Sequence, residues 1–181
     1  FLEIYFEELQ ANNSLTKDEM NILLTNHIIF TDKTLSYEKI NDLFNAADLY
    51  ISPYLAEGFN LTSLESLSAG LPVMISSTGS TKEYIEDIYK NGGEKYIIYI
   101  ESSVLEMENN MKCNNIKLDT VINTLLNNEE HIKHMKFLRS SNNVTLYSKM
   151  REFIVNNYSW NNVATLLFNY FKYIIDNCES K

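Results

Sequence analysis

Two glutamates, Glu57 and Glu65, bracket the run Gly58-Phe59-Asn60-Leu61-Thr62-Ser63-Leu64, and the first is followed at once by glycine. Residues 47–52 (ADLYIS) read as a short buried strand that Pro53 ends. Gly58 gives the backbone freedom for a tight turn and for close approach by a ligand. A helix is expected from about Asn60–Thr62 to Ala69, with Leu61, Leu64 and Leu67 on a sheet-facing side. Gly70 suits a left-handed C-terminal cap, and Pro72 lies just beyond it. A helix N-terminus aims free N–H groups and partial positive charge at whatever lies in front of it. The backbone of Gly58, Phe59, Asn60 and Leu61 is therefore a candidate phosphate cradle. Glu65, one turn into the helix, can accept hydrogen bonds from a ribose diol, and Glu57 in the loop can face a sugar. Strand, glycine loop, helix, stop and strand together suit a nucleotide diphosphate carrying a sugar. The plainer alternative is that Thr62-x-x-Glu65 is a capping box, the glutamate closing only its own helix start.

The elements that must position these residues alternate in type. Strands are expected at 1–6, 28–31, 49–52, 72–75 and 96–100, with helices at 17–25, from Ser36 through Phe44, at 61–69 and at 81–89. Short links between alternating strands and helices mark a parallel α/β sheet. Beyond Ser102 the chain turns mainly helical, with candidates at 118–126, 129–140 and 144–157. The last helix then sets Val163, Leu166, Leu167, Tyr170, Phe171, Ile174 and Ile175 on one stripe, read as core packing.

The string from Ala47 to Pro53, Glu57 to Leu61, Glu65 and Gly70-Leu71-Pro72-Val73 resembles the signature of GT-B-fold retaining glycosyltransferases. In particular it is similar to the large group with the E-x7-E pattern, glycosyltransferase family 4 and its relatives. Tyr158-Ser159-Trp160-Asn161-Asn162-Val163-Ala164 resembles that group's closing segment before its last helix. The similarity runs from about Ile28 to Ile85 and again from Met150 to Phe171, and between these stretches it is architectural only.

The resemblance implies an α/β fold: a Rossmann-like parallel sheet flanked by helices, the C-terminal half of a GT-B fold, with a helical C-terminal extension. Residues 1–157 are then the nucleotide-sugar-binding domain, lacking a recognisable opening strand and basic loop. Residues 158–181 are the crossing helix, packed on the same domain. The resemblance assigns Glu57 to the donor sugar or diphosphate as the catalytic carboxylate and Glu65 to the nucleotide ribose. Gly58, Phe59, Asn60, Leu61, Thr62 and Gly79 contact sugar and phosphate, largely through backbone. Thr62 stands where proline is usual. Ser80 stands where the second glycine of a Gly-Gly loop is usual, and an unusual backbone there costs serine more than glycine. Base contacts fall to the loop around Thr31 and Asp32. The implied substrate is an NDP-sugar with no bound metal or other cofactor, and no Asp-x-Asp cluster occurs in the chain. The implied partner is the N-terminal GT-B domain of the same protein, which holds the acceptor, so this part is not active alone. The rivals are a catalytically inactive binding or regulatory module of the same fold and a nucleotide-sugar enzyme of epimerase type.

Composition sets outer limits. The 181 residues suffice for one domain with a real core, and the first is Phe1 rather than methionine, which suggests a piece of a longer protein. A formal charge of −9 argues against an extended nucleic-acid surface. Cys113 and Cys178 have neither metal nor redox spacing and read as reduced thiols. No apolar run reaches the roughly 20 residues of a membrane span, and no signal-peptide pattern opens the chain. A glycan at the triplet Asn60-Leu61-Thr62 would block the proposed pocket, so a cytoplasmic setting is expected. His131-x-x-His134 has no further ligand at a familiar metal spacing. The serines near Ser76 lack a nucleophile elbow, and Gly92-Gly93 follows a helix instead of opening one.

Overall fold

Val73–Ser76 is buried at every position, as expected of a central strand covered on both faces. It lies in a computed structural model that describes residues 16–19, 22, 34–106, 112–140 and 145–178. The chain divides into two compact units, 1–37 and 38–181. In the first, residues 17–19 and 22 are helical. Thr16 and Glu19 bond reciprocally: the backbone N–H and hydroxyl of Thr16 donate to the Glu19 carboxylate, and the Glu19 N–H donates back to Thr16 Oγ1. This is a capping box. Those hydrogen bonds hold the Glu19 carboxyl below its usual range. The strands expected at 1–6 and 28–31 lie outside the described residues, as do Thr31 and Asp32.

The second unit runs α1 (Tyr37–Ala46), β1 (Tyr50–Ser52), α2 (Leu61–Ser68), β2 (Val73–Ser76) and α3 (Lys82–Ile88), α1 starting on the last residue of the first unit. A wide turn over Tyr89–Gly93 and a 3-10 turn over Glu94–Tyr96 lead into β3 (Ile97–Ile100). Then come β4 (Ser103–Glu106), β5 (Lys112–Asn115), α4 (Leu118–Asn127), α5 (Glu129–Ser140), α6 (Thr145–Tyr158) and α7 (Trp160–Cys178). Among the described residues β1, β2 and β3 form a parallel sheet in that order, with Tyr50 opposite Val73 and Val73 opposite Ile97. Successive residues of β2 serve opposite faces, as the period of a strand dictates. Val73 and Ile75 join Leu64 and Leu67 of α2, Ile85 and Ile88 of α3, and Met150 and Ile154 of α6. Met74 joins Ile98 and Ile100 on the other face, against Val121 of α4 and Ile132 of α5. The sheet is thus Rossmann-like, parallel and flanked by helices.

One element was not foreseen and one expectation needs correcting. Residues 103–106 and 112–115, to which no element was assigned, pair as an antiparallel hairpin, Ser103 opposite Asn115 and Glu106 opposite Lys112. The apolar stripe of the last helix is not core: α7 buries no residue, and Leu166, Tyr170 and Phe171 are each more than half exposed. The expected packing of 158–181 on the same domain is therefore not seen along α7. Periodicity identifies a helix with an apolar face, but does not say what covers that face.

Among the described residues two buried side-chain oxygens, Ser63 Oγ and the Tyr96 hydroxyl, are left without a hydrogen-bond partner. Tyr96 is 1% exposed. Burial pushes its pKa up to about 12. Because the folded value lies above the ordinary tyrosine value of about 10, its contribution is intact below pH ~10 and is lost as pH rises through about 12. Tyr96→Phe is expected to be neutral or to stabilise by up to about 1 kcal/mol in urea unfolding at pH 7, since it removes an unpaired polar group. It is also expected to flatten the alkaline fall in stability. A loss of more than about 1 kcal/mol at pH 7 would mean the hydroxyl is bonded after all.

Candidate functional site

The carboxyl ends of β1, β2 and β3 feed three loops, where open parallel sheets bind their ligands. Asn60 organises the first. It is the N-cap of α2 in left-handed backbone (φ 60°, ψ 59°), a conformation that asparagine tolerates better than most residues. Its Oδ1 accepts from the Ser63 N–H at 3.3 Å, and its Nδ2 donates to Ser52 Oγ at 2.7 Å. The Tyr84 hydroxyl donates to the Asn60 carbonyl at 3.2 Å, and the Tyr84 ring stacks on Phe59 with centroids 4.8 Å apart. Burial above all, and then Tyr54, Glu57 and Tyr50, push the Tyr84 pKa well above the tyrosine range. The Asn60 side chain is thus committed within the fold. Leu61 and Thr62 are the first two residues of the helix, so their N–H groups have no intrahelical acceptor.

Asn60 as N-cap also decides the status of Glu65. A capping box starting at Thr62 would enlist Glu65, but Thr62 is already inside the helix. Glu65 is exposed, and its carboxylate makes no hydrogen bond or ion pair among the described residues. At the other end, Gly70 (φ 76°) completes a Schellman stop: its N–H donates to Leu67 O, and the Leu71 N–H to Ser66 O, each at 2.9 Å.

Glu57 and Gly79 come together. With Ser80, Tyr54, Lys112 and Asn114 they line a pocket of about 280 Å³ between the loops after β1 and β2 and the β4–β5 hairpin. The Glu57 carboxylate accepts from the Gly58 N–H at 3.0 Å, so that part of the expected phosphate cradle is occupied by the chain's own anion. Gly58 has no positive φ, and a Cβ there would meet nothing within 4 Å. The turn therefore does not require glycine, and the space over it is open. Gly79 differs, at φ +100° with a would-be Cβ 3.1 Å from Tyr54 and from Asn114. Ser80 has no left-handed backbone, so the cost expected of serine does not arise; its hydroxyl donates to the Glu57 carbonyl and ties the two loops.

Glu65 faces a different cavity. With Phe59, Leu61, Tyr158 and Trp160 it lines an open groove of about 680 Å³ between α2 and the α6–α7 junction. Thr62 is exposed and lines neither space. Sequence reasoning missed the hairpin and with it Lys112 and Asn114. The local signal is weak there, since β4 is exposed throughout and Asn114 is the one buried residue of β5. His131 is occupied, its Nε2 lying 2.8 Å from the Lys95 carbonyl. Lys82, next to the Gly79 loop, pairs on the surface with Glu86.

A Rossmann-like parallel sheet with glycine-bearing loops at its carboxyl edge is the scaffold of many nucleotide-binding enzymes. Comparison with known families makes the assignment specific: residues 8–111, more than half of the chain, match the model of the family described as glycosyl transferases group 1, and the chain belongs to that family. It is 34% identical over 62 residues to the lipopolysaccharide core biosynthesis mannosyltransferase LpsB of Rhizobium meliloti (strain 1021), covering 34% of this chain and 17% of that protein. It is 30% identical over 105 residues to protein CapJ of Staphylococcus aureus, covering 51% of this chain and 27% of the relative. A sucrose synthase of Acidithiobacillus caldus is 38% identical over 56 residues, 31% of this chain and 7% of that protein. The matched segments thus span less than a third of each of these relatives. No helix among the described residues is long and apolar enough to cross a membrane.

Proposed function

We propose that this chain carries the nucleotide-sugar-binding domain of a retaining glycosyltransferase, which moves a sugar from an NDP-sugar to an acceptor held by an N-terminal GT-B domain of the same protein. The observation that carries this reading is the placement of Glu57 and Gly79 in one pocket at the carboxyl edge of the sheet, with Glu65 uncommitted one turn into α2. Glu57 would stand beside the donor sugar or diphosphate, and Glu65 would accept from the ribose hydroxyls. Gly58, Phe59, Leu61 and Thr62 would offer backbone N–H groups to phosphate, with the Glu57 carboxylate released from Gly58. Such fixed dipoles stabilise the charge that develops on a departing diphosphate. The exposed apolar face of α7 fits a helix that crosses to a second domain. Relatives named as a mannosyltransferase and a sucrose synthase support sugar transfer as the reaction class. Metal-independent reaction and a cytoplasmic setting belong to the same proposal.

The test is ligand-observed NMR of the chain against UDP-, GDP- and ADP-sugars, with Glu65→Ala as the paired variant. One nucleotide class is expected to bind selectively, and the variant to weaken it by roughly tenfold or more, the scale of a lost charge-assisted hydrogen bond. Absence of binding to all three, in the chain and in the full-length protein alike, would overturn the reading.

A further inference from the structure

The β4–β5 hairpin has no obvious reason to stand where it does. A two-stranded hairpin is marginal by itself, and β4 buries none of its residues. Its anchor is Asn114, 3% exposed. The Asn114 side-chain amide donates to the Tyr54 carbonyl at 3.1 Å and to the Thr78 carbonyl at 3.2 Å, and its Oδ1 accepts from Thr78 Oγ1 at 2.7 Å. Its backbone N–H donates to the Leu55 carbonyl at 2.6 Å. Both amide hydrogens and the amide oxygen are therefore used, and they join the loop after β1 to the loop after β2. Thr78 is held in turn by Ser102, whose hydroxyl lies 2.8 Å from Thr78 Oγ1. Other ties between the two loops run through rotatable hydroxyls: Tyr54 Oη to the Thr78 carbonyl and Ser80 Oγ to the Glu57 carbonyl. Asn114 supplies the planar member of the network and brings the hairpin with it. Lys112, two positions earlier on β5 and so on the same face, then reaches the pocket that Glu57 lines.

We propose that Asn114 is a positioning residue of the donor pocket. Its amide fixes the spacing of the two loops and so the place of Glu57 against the donor sugar. This rests on the nucleotide-sugar reading of the pocket. Glu65 lies on α2, outside the network, so nucleotide binding is expected to survive where sugar transfer does not.

The experiment uses the full-length protein and compares wild type with Asn114→Ala, Thr78→Val and Thr78→Ser. Turnover and KM for the NDP-sugar, inhibition by the free NDP, and the folded fraction by circular dichroism are measured at one temperature. Asn114→Ala and Thr78→Val are expected to lower kcat per folded molecule by about 10–100-fold, the cost of misplacing a reacting group by an ångström or less. The inhibition constant of the NDP is expected to move less than about threefold. Thr78→Ser, which keeps the hydroxyl, is expected to recover most of the kcat that Thr78→Val loses. If Asn114→Ala does not fold, the Thr78 pair decides. Unchanged kcat in Asn114→Ala or Thr78→Val, or an equal loss of NDP binding and kcat, would overturn the positioning role. A wild-type protein that neither binds nor turns over any NDP-sugar would overturn the reading of the pocket itself, and the inference with it.

Discussion

Replacing Gly79 by alanine is expected to destabilise the protein by about 2–4 kcal/mol and to weaken binding of the NDP-sugar, while the free NDP, held at α2, is affected far less. The backbone at Gly79 (φ +100°) is one that side-chain-bearing residues rarely adopt, and holding it there costs of order 1–3 kcal/mol. The new methyl carbon would also sit 3.1 Å from the Tyr54 ring and from Asn114 Nδ2, tighter than ordinary contact. Neither neighbour can yield freely. The Tyr54 hydroxyl bonds the Thr78 carbonyl at 2.9 Å and also meets Thr81 Oγ1, while the Asn114 amide spans two carbonyls. Relief must come from moving a loop, and the loops are the walls of the pocket. Thermal unfolding should fall by roughly 2–4 °C for each kcal/mol lost in a chain of this size. Ser80→Gly is the matched control: its backbone needs no glycine, so it loses one hydrogen bond and about 1 kcal/mol. A Gly79→Ala variant within about 0.5 kcal/mol of wild type that binds the NDP-sugar as tightly as wild type would refute this account.

That network also marks where sequence reading stopped. The strand Val73–Ser76, the helix Leu61–Ser68 and the stop at Gly70 were legible because each announces itself locally: an unbroken apolar run, leucines at helical spacing, a glycine before Leu71-Pro72. The meeting of Glu57 with Gly79 was implied by the family resemblance, and the parallel topology, which gathers loops at one edge of the sheet, is what brings the two together. Asn114 left no such trace. Its partners lie 36 and 60 residues away, and Ser103–Glu106 and Lys112–Asn115 have no alternating apolar pattern to show a strand. The role of Asn60 was half visible: its place at the helix start could be read, but its backbone conformation and its bond to Ser52 could not. The stripe on α7 was legible as a stripe, but sequence could not say that it stays uncovered.

Asn60 joins stability and ligand binding at one position, and three substitutions are expected to separate them. Asn60→Ala keeps no cap, leaves Ser52 Oγ without its 2.7 Å donor and forces alanine into left-handed backbone. The separate costs are about 0.5–2 kcal/mol for the cap, 1–3 for an unpaired buried group and 1–2 for the backbone. Because they share one site they do not add fully, and a loss of about 3 kcal/mol is expected. Asn60→Gly removes the backbone penalty and should recover about 1–2 kcal/mol of that loss. Asn60→Asp is the informative case. A carboxylate still accepts from the Ser63 N–H and can accept from the Ser52 hydroxyl, and negative charge at a helix N-terminus is favourable. Stability at pH 7 should stay within about 1 kcal/mol of wild type. The same charge spoils the helix start as a phosphate site, because it neutralises the partial positive charge that an incoming diphosphate would use. Donor affinity in Asn60→Asp is therefore expected to fall by about tenfold or more, with recovery as added salt screens the repulsion. Urea unfolding and calorimetric titration with the NDP-sugar read the two effects separately. If Asn60→Asp keeps both its stability and its donor affinity, phosphate does not lie in front of α2. If it loses both in step with Asn60→Ala, the residue acts through the fold alone.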